Sequence, residues 1–246
     1  MNLIKLEILR KTIKSFDIIL CTTNSQFSSL INYSQQLVNG RGKYTHIALC
    51  IRGSDLPKGC VFDDKLTGKS YKVDLNEVYL FESVVDTVLE SKNVFGEYFD
   101  GVQLRKFDET FEKYFELQKQ GIFTELAHSS VNMKYNPRSE YTYNIIKKYL
   151  GTKYNVGIID KIYVPFRYIP LIYLIKHTKD LFYGSSIENN GILCTTLAGQ
   201  VLKDIGLIDP DIDPNTMLTE DFVYKTWSAK NNKFPQIYLE PVDIIE

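Results

Sequence analysis

Short apolar runs alternate along the chain with polar, glycine-bearing stretches, and the period of each run predicts an element. Residues 3–14 predict a short helix with Leu3, Leu6 and Leu9/Arg10 on one side. Residues 15–22 (Ser-Phe-Asp-Ile-Ile-Leu-Cys-Thr) predict a buried strand. Residues 24–38 predict a helix capped at Ser25, with Phe27, Leu30, Ile31 and Ser34 sharing a face. A flexible loop, Asn39-Gly40-Arg41-Gly42, leads into a second strand over 44–51. Residues 53–76 are polar and carry Gly53, Pro57, Gly59 and Gly68, which predicts a long loop or an extra hairpin. Strands follow over 77–84 and 101–107, then a helix over 108–119 whose aromatic stripe of Phe111, Tyr114 and Phe115 reads as core. His128 falls in a stretch read as a polar loop. Ser139 is expected to cap a further helix, with Tyr141, Ile145, Tyr149 and Leu150 facing inward and Gly151 as its stop. Residues 158–179 are apolar, aromatic and proline-broken, with His177 near their end; residues 236–239 predict one more strand.

The stretch 189–206 stands apart. Asn189-Asn190-Gly191 is a turn signal, and Cys194, Leu197, Ala198, Val201, Leu202 and Ile205 then recur at helical spacing until Gly206. Cys194 therefore sits in the first turn of a short amphipathic helix. Unpaired N–H groups and the positive end of the helix dipole favour a thiolate at that position. The alternative is a buried structural cysteine on an apolar face, a common place for a free thiol.

Two strands carry polar interruptions. On 44–51, Ile47, Leu49 and Ile51 share one face, which leaves His46 at the start of the other beside the glycine loop. On 77–84, Glu82 interrupts the face made by Val78, Leu80 and Val84. A buried carboxylate requires a partner, and His46 lies on a neighbouring strand if consecutive strands pair. Taken singly, His46 also reads as a structural histidine at a strand end, and Glu82 as an edge-strand acid reaching solvent.

Composition narrows the field. The chain has 246 residues, is 44% hydrophobic and 24% charged, and carries a formal charge of −1. That balance leaves no electrostatic footprint for nucleic acid. The four cysteines, Cys21, Cys50, Cys60 and Cys194, form no C-x-x-C pair and have no histidine at metal spacing, so zinc is disfavoured. They are too sparse for a disulfide scaffold, which favours reduced thiols in a cytoplasmic setting. The N-terminal residues lack a signal peptide's continuous apolar core. The run 162–175 is interrupted by Pro165, Arg167 and Pro170 and falls short of the ~20 apolar residues of a membrane span. No repeat or composition shift divides the chain. A single domain over 1–246 is expected, with an inserted loop near 53–76 and a helical insert near 108–136.

In order along the chain, Phe16-Asp17-Ile18-Ile19-Leu20, Thr45-His46-Ile47-Ala48-Leu49, Val78-Tyr79-Leu80-Phe81-Glu82-Ser83, Gly151-Thr152-Lys153-Tyr154-Asn155, Cys194-Thr195-Thr196-Leu197-Ala198, Gly206-Leu207-Ile208 and Thr219-Glu220-Asp221-Phe222 resemble a set of family motifs. The set is that of the circularly permuted branch of the NlpC/P60 papain-like superfamily, with its YiiX-like, poxvirus and, more distantly, lecithin:retinol acyltransferase-type members. The chain departs from that pattern at Phe16, where the family has glycine, at Thr45 for Ser, at Asn155 for Asp, and at Thr195-Thr196 for Ser-Glu.

The resemblance implies an α+β fold in which an antiparallel, barrel-like sheet packs on the helix bearing Cys194. It implies Cys194 as nucleophile, His46 as its base and Glu82 as the residue that orients His46. The implied activity is that of a cysteine hydrolase or acyltransferase working through a thioester, on a peptide amide or a lipid acyl group, without cofactor or metal. Peripheral contact with a membrane fits such a substrate. The backbone N–H of Cys194 is the natural first oxyanion donor, with Tyr44, Thr45 and Asn24 as candidates for a second. The competing class is a papain-fold binding module whose thiol is silent.

Overall fold

The computed structural model describes residues 3–24, 43–64, 67–84, 91–133, 137–154, 192–217, 219–223, 238–239 and 243–245. The helix expected over 24–38 (apart from Asn24), the apolar stretch 158–179 and His177 lie outside them.

In chain order the strands are β1 (Ile18–Thr23), β2 (His46–Arg52), β3 (Val61–Asp63), β4 (Ser70–Lys72), β5 (Val78–Val84), β6 (Gly101–Lys106), β7 (Phe123–Ser129), β8 (Val131–Asn132), β9 (Tyr238–Leu239) and β10 (Asp243–Ile244). The helices are α1 (Leu3–Thr12), α2 (Phe107–Lys119), α3 (Ser139–Tyr149) and α4 (Cys194–Asp204). Six strands form one sheet in the order β10-β7-β1-β2-β5-β6, and every neighbouring pair in it is antiparallel. The chain is thus α+β. The order has two ends, so barrel closure is not seen among the described residues. Beyond β6 run residues 151–154, with Val102 N–H donating to Thr152 O and Gly151 N–H to Val102 O.

Alternation along the strands sends side chains to opposite faces. Ile18, Leu20, Ile47, Leu49, Ile51, Tyr79 and Phe81 face one way and pack with Ile145, Ile146 and Tyr149 of α3 and with Leu197, Ala198, Val201 and Leu202 of α4. Ile19, Cys21, Ala48, Cys50, Val78 and Leu80 face the other way and pack with Leu9 of α1 and with Phe107, Phe111, Tyr114 and Phe115 of α2. The sheet is therefore covered on both faces, which explains why its strands read as nearly continuous apolar runs. The face bearing His46 and Glu82 is a second core, covered by α1 and α2.

Other expectations change in detail. The 53–76 segment contains the hairpin β3–β4. Of the expected helical insert, residues 107–119 form α2, but residues 123–129 form β7, which pairs with β1 inside the sheet. His128 lies on β7, not in a loop; its period was hidden because Glu125 and His128 are polar residues that find partners. Glu125 accepts from the Tyr44 hydroxyl at 2.7 Å, and His128 Nε2 lies 3.2 Å from Asp17 Oδ2. Ser139 is the first residue of α3, not its cap, and its hydroxyl bonds Glu140. Tyr141 is exposed, and Thr142 and Ile146 join Ile145 and Tyr149 on the buried side. Gly151 and Gly206, at φ 80° and 75°, follow α3 and α4 as their stops.

The start of β1 is a tight turn. Asp17 N–H bonds Lys14 O at 3.1 Å, and Phe16 takes φ 73°, the one positive φ of a non-glycine residue among those described. A side chain there costs roughly 1–2 kcal/mol. Phe16 accepts that cost because its ring is fully buried in the core. This is the position where the resembled family carries glycine. Asp17 locks the turn by accepting from Lys14 N–H (2.9 Å) and Val131 N–H (2.9 Å).

Two substitutions separate strain from burial. Phe16→Ala loses the ring and keeps the strain, and should cost about 3–5 kcal/mol. Phe16→Gly loses the same ring but relieves the backbone. Urea denaturation should therefore find Phe16→Gly more stable than Phe16→Ala by about 1 kcal/mol, the reverse of the usual order. Equal stabilities would mean that the turn is not strained.

Candidate active site

β2 pairs with β1 down to the Cys21↔His46 rung, and β5 pairs with β6 through Glu82, Ser83 and Val84. Between β2 and β5, however, the ladder runs only from Arg52↔Val78 to Leu49↔Phe81. The two central strands part at the end where His46 and Glu82 lie, and residues 192–194 are bound there. Ile192 N–H donates to Lys153 O at 2.8 Å, and Ile192 O accepts a hydrogen bond from the Ser83 hydroxyl. The Ile47 amide donates to the Cys194 sulfur. The parted ladder thus brings a helix on one face into contact with side chains on the other.

Cys194 opens α4. Its preceding residue, Leu193, is extended and supplies no side-chain cap, so the first-turn amides are left to the thiol, and Thr195 N–H donates to the sulfur. His46 hydrogen-bonds Cys194 on one side. On the other, its Nε2 lies 2.6 Å from Glu82 Oε2. With Nε2 so engaged, Nδ1 is the ring nitrogen left for the thiol. The site grades inward: the His46 side chain is 13% exposed and Cys194 9%, whereas Glu82 is 0% exposed.

Glu82 has two more neighbours. The Tyr114 hydroxyl of α2 donates to Oε2 at 3.1 Å, and Arg105 Nη1 of β6 stands 3.5 Å from Oε1, with both ends of that ion pair fully buried. Neither residue was expected. Gln103 and Arg105 alternate with Val102 and Leu104 and so resemble a solvent-facing set, while Tyr114 reads as one more ring of an aromatic stripe. The only available signal was the need of a buried carboxylate for donors.

The electrostatics follow from this packing. Burial pushes the Glu82 carboxyl up, but His46, Arg105 and Tyr114 together bring it below its ordinary value of 4.5. Burial also opposes an imidazolium at His46, yet hydrogen bonds and charge from Cys194 and Glu82 raise it to about 10. For Cys194, burial raises the thiol, and the His46 hydrogen bond and charge, with the Ile47 and Thr195 amides, bring it below its ordinary value of 9.0. The other three thiols shift the opposite way, since burial raises Cys21, Cys50 and Cys60 alike. All four cysteines are free. Tyr154 is close enough for the Cys194 charge, after burial, to raise its phenol further.

The candidate second oxyanion donors are committed elsewhere. Tyr44 bonds Glu125. The Thr45 hydroxyl meets Thr23 N–H (3.2 Å) and Cys21 O (3.4 Å), and Asn24 Nδ2 donates to Gly121 O. The amides of Ile47 and Thr195 are the N–H groups turned to the sulfur. A cavity of about 120 Å³ bordered by Asp63, Asn93, Tyr98 and Gly151 contains none of the three site residues. Among the described residues no group of three His, Cys, Asp or Glu side chains is placed to hold a metal ion, and no helix is long and apolar enough to cross a membrane. No protein-family model matches the chain, and no curated protein matches its sequence.

Glu82→Gln keeps the shape of the site and removes the charge that faces Arg105, which should cost about 3 kcal/mol near neutral pH. Because the folded carboxyl is depressed, its contribution is complete above the unfolded value of about 4.5 and is lost as pH falls through the folded value. Urea midpoints of wild type and Glu82→Gln should therefore differ most above pH ~5 and converge on acidification. A gap that stays constant down to pH ~3 would show that Glu82 is not ionised in the fold.

Proposed function

We propose that the chain is a cysteine-dependent acyl-transfer enzyme, a hydrolase or acyltransferase of the permuted papain-like kind, working through Cys194, His46 and Glu82. The observation that carries this reading is the single line of contacts from Glu82 through His46 to Cys194, ending on the one thiol that its surroundings draw down. A packing cysteine does not need a histidine, a sealed carboxylate and two amides directed at its neighbourhood. The order His, acid, Cys along the chain does not matter, because such a triad is defined by geometry and roles.

The chemistry follows from those roles. The Cys194 thiolate attacks a carbonyl carbon, forming a C–S bond as the carbonyl π pair moves onto oxygen. The amides at the start of α4 are the donors nearest the forming oxyanion. As the oxyanion collapses, the bond to the leaving amine or alcohol breaks and His46 delivers its proton to that group. The product is a thioester on Cys194. Water, or an acceptor hydroxyl or amine, then attacks the thioester while His46 takes its proton, and the thiolate leaves. Glu82 stays ionised throughout, holding the ring by Nε2 and balancing the imidazolium. The substrate is a peptide amide or a lipid acyl group.

Alkylation by iodoacetamide as a function of pH, followed by peptide mass spectrometry, tests this. Cys194 should label at pH 6 at least about tenfold faster than Cys21, Cys50 and Cys60, and His46→Ala should remove the advantage by raising the Cys194 midpoint toward the ~8.5 of a free thiol. A wild-type midpoint already near ~8.5 would abandon catalysis and leave a binding module with a silent thiol.

A further inference from the structure

Arg105 is among the largest side chains that the fold buries completely. Arginine normally buries its stem and keeps its head in water. Here the residue belongs to β6, where its register partner is Leu80, two positions from Glu82 on the same face. Its Nη1 stands 3.5 Å from Glu82 Oε1, while Oε2 carries the bonds from His46 and the Tyr114 hydroxyl. The two carboxylate oxygens therefore have separate duties. One is hydrogen-bonded to His46 and Tyr114, and the other faces the Arg105 guanidinium.

Sealing two charges in a core is a poor way to gain stability, since apolar residues of similar volume serve as well or better. What the pair does supply is a defined charge state. An isolated carboxyl at a site with no solvent access would take up a proton, and a neutral acid holds an imidazolium far less well.

Building on the triad reading above, we propose that Arg105 is a positioning residue of the site: its guanidinium keeps Glu82 ionised with Oε2 turned to His46, and through that pair maintains the Cys194 thiolate. Glu82 is faced by His46 from β2, Arg105 from β6 and Tyr114 from α2. The buried thiols of Cys21 and Cys50 on β1 and β2 also feel its charge. Cys194 is faced by His46 and, at longer range, by Cys21 and the Tyr154 phenol. Within this set the cations are His46 and Arg105. Removing Arg105 lets Glu82 protonate more readily, which weakens the hold on the imidazolium and leaves the thiol protonated to higher pH.

The test is the pH profile of Cys194 alkylation in Arg105→Met, with circular dichroism and thermal melting run alongside. The midpoint should rise by about one pH unit and labelling at pH 6 should fall about tenfold. Arg105→Lys, which keeps a charge, should restore most of the loss, and Tyr114→Phe, which removes a hydrogen bond without a charge, should shift the midpoint less. If Arg105→Met does not fold, Arg105→Gln takes its place, because its amide still satisfies a polar neighbour. A folded neutral variant with a lowered melting temperature and an unmoved midpoint overturns the proposal, since a purely structural residue would behave that way. The two readings fail differently. A wild-type Cys194 that labels like an ordinary thiol refutes the triad, whereas a low wild-type midpoint that survives loss of Arg105 refutes only the role of Arg105.

Discussion

The arrangement depends on one carboxylate that has no access to water. Glu82 sits at 0% exposure between two strands and a helix, and a charge in that position persists only while its neighbours replace the hydration it has lost. Three elements supply the replacement: β2 through His46, β6 through Arg105 and α2 through the Tyr114 hydroxyl. Each of these groups belongs to an element that is itself packed into the core. The polar cluster therefore acts as a registration device for the sheet as well as part of a site. A slip of one residue in β5 or β6 would send Glu82 or Arg105 to the opposite face, away from the partners that compensate their charges.

The second constraint is the gap in the β2–β5 ladder. A continuous antiparallel pair would engage the Ile47 amide in the sheet and keep α4 to one face. Because the strands part beyond Leu49↔Phe81, that amide is available to the Cys194 sulfur, and the Ser83 hydroxyl bonds Ile192 O. Residues 151–154 complete the cradle by adding to the outer edge of β6 and accepting the Ile192 amide at Lys153 O. Gly101 makes that approach feasible, because a Cβ there would stand 2.2 Å from Thr152 O. Backbone placement of this kind holds the Cys194 side chain more firmly than a loop would.

Much of the fold was legible because the periods were clean. The strands around Ile18, Ile47, Val78 and Val102 and the helices at Phe107, Ser139 and Cys194 follow from alternation, helical spacing and glycine stops. β7 was missed because its polar residues, Glu125 and His128, break the apolar run, and their partners Tyr44 and Asp17 are remote in sequence. Phe16 shows a similar limit. The resembled pattern asks for glycine, and nothing local reveals that a buried phenylalanine fills the same left-handed position.

For the site, the sequence by itself determined the chemical candidates: a cysteine opening an amphipathic helix, a histidine at the start of a strand and an acid interrupting an apolar face. These are local facts, set by residue type and period. Only the tertiary structure decided that the three meet, that the carboxylate is sealed, and that Arg105 and Tyr114 stand against it. Those relations cross 32 positions between Glu82 and Tyr114 and 36 between His46 and Glu82. Strand order, the gap in a ladder and the coverage of both sheet faces create such contacts, and none of these leaves a period in the chain. A buried charge announces that it needs a partner; only packing says which one arrives.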